Sequence, residues 1–505
     1  MKIVTMYLPQ FHRIAENDEW WGEGFTEWTA ASSARPLYEG HEQPKTPLNN
    51  NYYDLLDQET MKWQAKLMHK YGVYGQCFYH YYFKDGRKIL EKPAENLLRW
   101  KGIDMPFCFC WANESWARSW SNLTEKNVWS SRGEHEKERK KNPSGVLLEQ
   151  KYGGEIEWKA HYEYLRPFFK DSRYIRLEGK AVFLIFQPSL IPCIQQMLQY
   201  WNSMAEIDGM GGIYFISMNF FDVSGFQAYL YHEPQYTMMH AYPRENVSVD
   251  KKIRRYIEYA DVWNKIISRI VPESKKKLMQ GGFTGYDDTP RRGTGGSVIG
   301  QAEPQIFQKM LAQLLKKNEE MGNEITFLNA WNEWGEGMYL EPDVKGGYAY
   351  LEAVKYALEH YQEEKTDFSR STGQIALESE KLVERYQCYW RVLHQWMLLK
   401  ENGISVGEYL HRKGIKKVAV YGMGMLGLHL IRELEGGPVE IICGIDRAAE
   451  ALHQSFPVVA PDGLTDDVDA VIITPIYAFD EIYAALREKY QGKILSLMEL
   501  VTEAE

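Results

Sequence analysis

The chain has 505 residues, 44% hydrophobic and 25% charged, globular proportions that exclude a disordered, collagen-like or disulfide-scaffold protein. Its 59 basic residues against 69 acidic ones leave a net charge of −10, which argues against non-specific binding to nucleic acid or to an anionic membrane surface. Sixteen tryptophans and an aromatic share of 14% mean that aromatic faces either fill cores or line sites for sugars and bases.

Short apolar strands are expected at 3–8, 73–79, 106–110, 181–186, 213–218, 228–231, 278–282 and 325–329, each followed by a stretch of helical period. Eight strands alternating with helices predict an α/β architecture, a (β/α)8 TIM-type barrel over residues 1–365 with its active face on the loops after the strands. Long polar insertions follow the first and third strands. The chain opens directly on a strand, and no run approaches the ~18–20 apolar residues of a membrane span, so a cytoplasmic location and no transmembrane segment are expected. The six cysteines (77, 108, 110, 193, 388, 443) have no paired zinc spacing; Cys108 and Cys110 read as core residues or as a redox pair.

Leaving the first strand, Tyr7-Leu8-Pro9-Gln10-Phe11-His12 offers Tyr7, Gln10 and His12 to substrate hydroxyls. The insertion then carries Trp20, Trp21, Glu27 and Trp28, either a sugar platform or the private core of a long loop. His80, His232 and Glu233 fall near strand ends without metal-ligand spacing; they read as hydrogen-bonding partners, and no catalytic metal is expected. After the third strand, Trp111-Ala112-Asn113-Glu114-Ser115-Trp116 supplies Trp111 and Asn113 as binding residues and Glu114 as an acid, a substrate clamp or a partner of Arg118. The mixed charges at 134–141 and the basic runs at 251–255 and 275–277 read as exposed segments. After the seventh strand come Tyr286, Asp287 and Arg292, suited to a diol and to a carboxylate or phosphate, or else to a turn closed by a salt bridge.

The strongest signal is Trp331-Asn332-Glu333-Trp334-Gly335-Glu336-Gly337 after the eighth strand. Glycosidic chemistry needs two carboxyl groups, one protonated and one ionised, and burial against indoles would separate their pKa values. Glu333 and Glu336 are therefore the catalytic candidates, with Trp331 and Asn332 as binding residues; the bland reading is a helix start enriched in glutamate.

Residues 366–413 read as a helical connector, with helices at 378–400 and 405–412. A small Rossmann-like α/β domain is expected at 414–505, with strands at 416–421, 439–445 and 470–474. The run Gly422-Met423-Gly424-Met425-Leu426-Gly427 lies between strand and helix, and Asp446 ends the next strand. Gly422, Gly424 and Gly427 would cradle a pyrophosphate and Asp446 a ribose diol of NAD, S-adenosylmethionine or a sugar nucleotide; the alternative is a fold kept for docking or dimerisation. The barrel itself calls for no cofactor.

The segments at 7–12, 19–28, 110–116 and 331–337 resemble those of WbsX-type proteins from bacterial polysaccharide gene clusters, labelled glycosyltransferases of O-antigen or capsule synthesis. The resemblance covers roughly residues 1–360, and the same region is similar, more distantly, to glycoside hydrolase family 99, the endo-α-mannosidases. The hydrolase resemblance implies a metal-independent barrel that retains anomeric configuration through a 1,2-anhydro sugar. Glu333 would deprotonate the 2-hydroxyl and Glu336 would protonate the leaving oxygen. The C-terminal unit departs from the hydrolase pattern. The expected function is thus a retaining enzyme acting on a mannose-like oligosaccharide or polysaccharide. A glycosyltransferase and an inactive glycan-binding protein are the alternatives. Further partners would be a second copy of the chain or polysaccharide-assembly proteins, and no nucleic acid.

Overall fold

A computed structural model describes residues 1–117, 146–191, 193–219, 225–242, 253–271, 274, 276–365, 389–390, 392–446, 449, 456–464 and 467–504. The chain divides into two compact units, 1–371 and 372–505.

In the first unit the expected strands form β1 (Lys2–Tyr7), β2 (Val73–Tyr82), β3 (Phe107–Trp111), β4 (Lys180–Ile185), β5 (Ile213–Met218), β6 (Ala228–Tyr231), β7 (Lys277–Gln280) and β8 (Ile325–Asn329). All neighbouring pairs are parallel, and β1 lies between β2 and β8. Closure depends on a break in the seventh strand. Its β7 segment pairs with β6, whereas Gly282–Phe283, one residue further on, pairs with β8. Gly281 sits at the break, where a Cβ would lie 2.5 Å from the carbonyl oxygen of Tyr231. The result is a (β/α)8 barrel. Its strands are near-continuous buried apolar runs, as expected of a parallel sheet covered on both faces.

Helices such as Gln58–Tyr71 and Pro304–Glu320 cover the barrel. The first begins on an Asp57 cap to the Glu59 amide (3.0 Å) and stops at Gly72 in the left-handed region, φ +80°. A three-stranded sheet of Arg255–Glu258, Ser297–Gly300 and Tyr286–Asp287, which sequence reasoning did not anticipate, shapes the loops after β7. Cys77, Cys108 and Cys110 are buried free thiols of the barrel core. Arg118, Trp120, the segment 134–141, Lys251, Lys275 and Cys388 lie outside the described residues.

In the second unit, β9 (Lys417–Tyr421), β10 (Glu440–Ile445), β11 (Val458–Val459), β12 (Ala470–Ile473) and β13 (Lys493–Ser496) form a parallel sheet in the order β11-β10-β9-β12-β13. This is the Rossmann-like order, with the glycine run starting after the central strand and ending in the first turn of helix Met425–Leu434. Val392, Trp396 and Leu399, together with Val406 and Leu410 of helix Val406–Arg412, share a core with Val418 and Val420 of β9. Of the helix expected at 378–400, residues 378–388 lie outside the described residues. No helix among the described residues is long and apolar enough to cross a membrane.

Candidate active site

The 331–337 segment forms a β-hairpin rather than a helix start. Asn332–Glu333 pairs with Met338–Tyr339 across a 3-10 turn, Trp334–Glu336, that leaves through Gly337 at φ +62°. Glu333 therefore precedes and Glu336 ends a tight turn at the C-terminal end of the barrel. Gly335 between them has no room for a side chain, because a Cβ would lie 1.8 Å from Glu27 Oε1 and 2.9 Å from Arg291 Nε.

Arg291 organises the cluster from the short helix Thr289–Arg292. Its Nη1 donates to Glu336, its Nη2 to Glu333 Oε2 (2.8 Å), and its Nε to Glu27 Oε1 (2.9 Å). Burial would lower the pKa of this guanidinium, but the three carboxylates hold it above its ordinary value. One planar cation thus sets three acids side by side. Glu333 is 6% exposed. Burial pushes its pKa up to about 8, with Glu336 and Glu27 adding to the rise and Arg291 opposing it.

These groups open into a cavity of about 270 Å³, which Gln10, Glu114, Tyr286 and Arg292 also line. Tyr79 and Tyr81, two apart on β2, reach it together, while His80 and Tyr82 on the other face pack against His161. His80 and His161 meet Nε2 to Nε2 at 2.8 Å, so His80 is a hydrogen-bonding residue of the barrel wall. Trp21, Phe25, Trp116 and Phe186 complete the aromatic lining, and Trp20 packs behind Trp116 with ring centroids 5.8 Å apart. Burial raises the pKa of Glu114. Arg292 pairs with Asp288 (3.1 Å), a carboxyl that burial pushes up to about 6.

Eight expected binding residues do not reach this cavity. Tyr7 is buried in the barrel and donates to Gln64 (2.8 Å), and His12 is 1% exposed, its pKa lowered by burial. Trp28 is no sugar platform: it packs on Phe11, Tyr53 and Trp334 and donates its indole N–H to the Tyr53 carbonyl (2.9 Å). Trp111 likewise donates to the Tyr82 carbonyl (3.2 Å) and packs against His161 and Trp201. Asn113 bonds both the N–H and the C=O of Gln187 (2.8 Å each), and Asn332 does the same to Leu8 (2.8 and 3.0 Å), so both amides pin loops instead of holding sugar. Asp287 accepts from His41 (2.8 Å), Gln43 (2.6 Å) and the Thr289 hydroxyl (2.6 Å), bonds that hold its pKa low against burial. Trp331 donates to Glu341 (2.9 Å) from full burial.

Glu341 was not anticipated. Buried beneath the hairpin, it also accepts from Trp334 (2.8 Å), Tyr53 (2.8 Å) and Gln64 (2.7 Å); burial pushes its pKa up to about 7 against those donors. Arg291, Tyr79 and Tyr81 were also missed, and Glu27 had been noted only as part of the tryptophan loop. The signal available for Arg291 was Gly335, a missing side chain between two acids. Among the described residues, no group of three or more His, Cys, Asp or Glu side chains is placed to hold a metal ion.

A family model described as glycosyltransferase WbsX matches residues 3–354. The chain belongs to the WbsX glycosyltransferase family. The protein WxcX of Xanthomonas campestris pv. campestris, in strains B100 and ATCC 33913, is 32% identical over 387 residues, covering 74% of this chain and 52% of that protein. The chain thus spans about half the length of the curated relatives it matches. Among solved structures it is similar to a GH99 endo-α-mannosidase of Bacteroides thetaiotaomicron bound to bis-tris-propane, 14% identical with a TM-score of 0.43, covering 72% of this chain and 97% of that one. A second structure of such an enzyme from that organism gives a TM-score of 0.41 at the same identity and coverage. The WbsX match takes in Glu27, Arg291, Glu333 and Glu336 and ends before the C-terminal unit.

In the C-terminal unit, Gly427 packs so closely that a Cβ would lie 2.0 Å from the Gly422 oxygen, while nothing stands within 4 Å of a Cβ at Gly424, the start of the helix. Asp446 Oδ2 accepts the Met423 N–H (2.8 Å). The uncovered helix start fits a phosphate group, and Asp446 is bound into the glycine loop itself.

Proposed function

We propose that the barrel is a retaining, metal-independent enzyme acting in the cytoplasm on glycosidic bonds of a mannose-like glycan in bacterial surface polysaccharide metabolism. The observation that carries this reading is the pair Glu333 and Glu336, set side by side by Arg291 at the mouth of an aromatic-lined cavity on the C-terminal face of the barrel. Two carboxylates held on one guanidinium within a single turn suit work from one side of a substrate, whereas direct displacement by a carboxylate uses two groups flanking the bond. The arrangement suits attack by the sugar's own 2-hydroxyl. Ionised Glu333 takes the hydroxyl proton, O2 bonds to C1, and the C1–O bond breaks as Glu336 delivers its proton to the leaving oxygen. Water or an acceptor hydroxyl then opens the three-membered ring at C1, giving its proton to Glu336 while Glu333 returns one to O2. A carboxylate whose conjugate acid has a pKa near 8 is better matched to a hydroxyl proton than an ordinary one.

Glu333→Gln should lose about 10²–10⁴-fold in turnover on α-mannosides with activated and natural leaving groups alike, and Glu336→Gln as much on the natural ones; unchanged turnover in both would end the reading. Transfer to an acceptor sugar is the second reading, supported by the WbsX family description. Product analysis with and without added acceptor separates it from hydrolysis. The C-terminal unit would bind a nucleotide phosphate at the Gly424 helix start. A thermal-shift screen with NAD, S-adenosylmethionine and sugar nucleotides tests this, and no shift with any of them favours the docking role.

A further inference from the structure

A second cavity, of about 730 Å³, opens beside the first. Residues 38–45 after β1, 284–304 after β7 and 337–350 after β8 wall it, so it belongs to the same face of the barrel. The two cavities share Tyr286, and the catalytic turn divides them, Glu336 lining the first and Gly337 the second. The partition is backbone against backbone: a Cβ on Gly285 would lie 2.9 Å from the Gly337 oxygen.

The first cavity, about 270 Å³, falls just below the ~300–1,000 Å³ of small-molecule sites and has room for little beyond one sugar ring. A longer glycan with a ring over Glu333 must run out of it. The second cavity offers the chemistry that a further ring needs. Half-buried Tyr38, Tyr256 and Tyr350 line it, and burial raises the pKa of each, so their hydroxyls stay neutral and can both donate and accept. Tyr38 and Tyr256 stand edge to face with centroids 6.1 Å apart. Glu39, Glu303 and Asp343 add acceptors for vicinal hydroxyls. Five carboxylates line the cavity (Glu39, Glu42, Asp287, Glu303, Asp343) against two lysines (Lys45, Lys345), a balance that repels acidic sugars. Both lysines are already paired with Glu42, Lys45 at 3.5 Å.

We infer that this second cavity is a saccharide subsite for the leaving-group or acceptor side of the glycan, selective for neutral, hydroxyl-rich units over acidic ones. Its side is set by Glu336, the residue assigned to the leaving oxygen, which adjoins Gly337 on the cavity wall; this assignment rests on the function proposed above.

The test uses the full chain and its Tyr256→Ala, Tyr350→Ala and Glu303→Gln variants. On α-linked mannotetraose, Tyr256→Ala and Tyr350→Ala should lose about tenfold in kcat/KM, mainly through KM, the size of one lost aromatic contact. On an aryl α-mannoside, whose leaving group does not reach the cavity, they should stay within about twofold of wild type. Equal losses on both substrates, or none on the tetrasaccharide, would overturn the subsite. Calorimetry on the Glu336→Gln background, with mannotetraose, maltotetraose and tetragalacturonate, tests the cavity independently of turnover. Addition of Tyr256→Ala should weaken binding of a neutral tetramer about tenfold, and Glu303→Gln should narrow the discrimination against tetragalacturonate. No binding of either neutral tetramer, or equal binding of the acidic one, overturns the proposal. Absent turnover with this binding pattern intact would instead sink the catalytic reading and leave the subsite standing.

Discussion

The segments after β3 and β8 share a local plan and differ in charge. In each, a tryptophan is buried and donates its indole N–H to the protein: Trp111 to the Tyr82 carbonyl, Trp331 to Glu341. In each, an asparagine grips both backbone groups of a residue on a neighbouring loop, Gln187 for Asn113 and Leu8 for Asn332. The glutamate that follows is thereby aimed into the common cavity. There the likeness stops. Glu333 shares a guanidinium with Glu336 and Glu27, whereas the upward shift of Glu114 comes from burial. Placement follows from the asparagine. Role follows from the cation beside the acid: Arg291 favours the ionised form of the carboxyls it bonds, while burial and their mutual repulsion favour the protonated form.

The comparison breaks most severely if Arg291 is dispensable. Arg291→Met leaves three carboxylates crowded together without a counter-charge and should cost about 3–5 kcal/mol near pH 8 by chemical denaturation. The loss should shrink in acid. Carboxylates whose folded pKa lies above the ~4.3 of an unfolded glutamate bind more protons folded than unfolded, so stability falls as pH rises between the two values. Arg291→Lys keeps the charge, loses the fork and should fall between wild type and Met. A Met variant as stable as wild type at pH 8 would show that the cluster is not held by this cation.

Glu341 underlies the β8 segment alone. Glu341→Gln sets an amide N–H2 against the donors of Trp331, Trp334, Tyr53 and Gln64, leaves at least one buried donor unpaired, and should cost about 2–3 kcal/mol. Near-ultraviolet circular dichroism of the folded variant should change as one of the two indoles loses its acceptor. An unchanged spectrum and stability would remove Glu341 as the support of the hairpin.

The pH profile sharpens the contrast between the two acids. With Glu333 as base and its pKa near 8, kcat/KM on an activated aryl α-mannoside, whose leaving oxygen needs no proton, should rise about tenfold per pH unit between pH 6 and 7, since the ionised fraction of Glu333 grows tenfold per unit below the pKa. A rate on that substrate that is flat between pH 6 and 7 would remove Glu333 as the base.

How much of this was legible in sequence depended on the kind of contact involved. The barrel strands could be read because a parallel strand covered on both faces is a short unbroken apolar run, as in 181–185 and 213–218. The carboxylate pair could be read because both acids lie in one turn. The guanidinium that joins the acids was not read: Arg292, singled out in the sequence, lines the cavity and pairs with Asp288, while its neighbour Arg291 in the same four-residue helix carries the carboxylates. Glu27 reaches Arg291 across 264 residues, a contact no local pattern contains. The tryptophans misled because an indole serves a sugar face and a core equally well. What decided Trp331 and Trp334 was Glu341, a residue that in Leu340-Glu341-Pro342-Asp343 looks like a surface turn.

The smallest expected effect discriminates most finely between the two segments. Glu114→Gln keeps the side chain's size and its capacity to hydrogen-bond a sugar hydroxyl, and it removes only ionisation and the carboxyl proton. If Glu114 binds the glycan and transfers no proton, kcat/KM should fall about three- to tenfold, nearly all of it through KM, with the pH profile unmoved. Glu336→Gln, the same chemical change in the other segment, should act on kcat, because the leaving oxygen receives its proton only in the transition state. A kcat loss at Glu114 equal to that at Glu336 would mean that a lone buried carboxyl performs the acid's work. The shared guanidinium would then be a structural clamp, and the active pair would span β3 and β8 instead of a single turn.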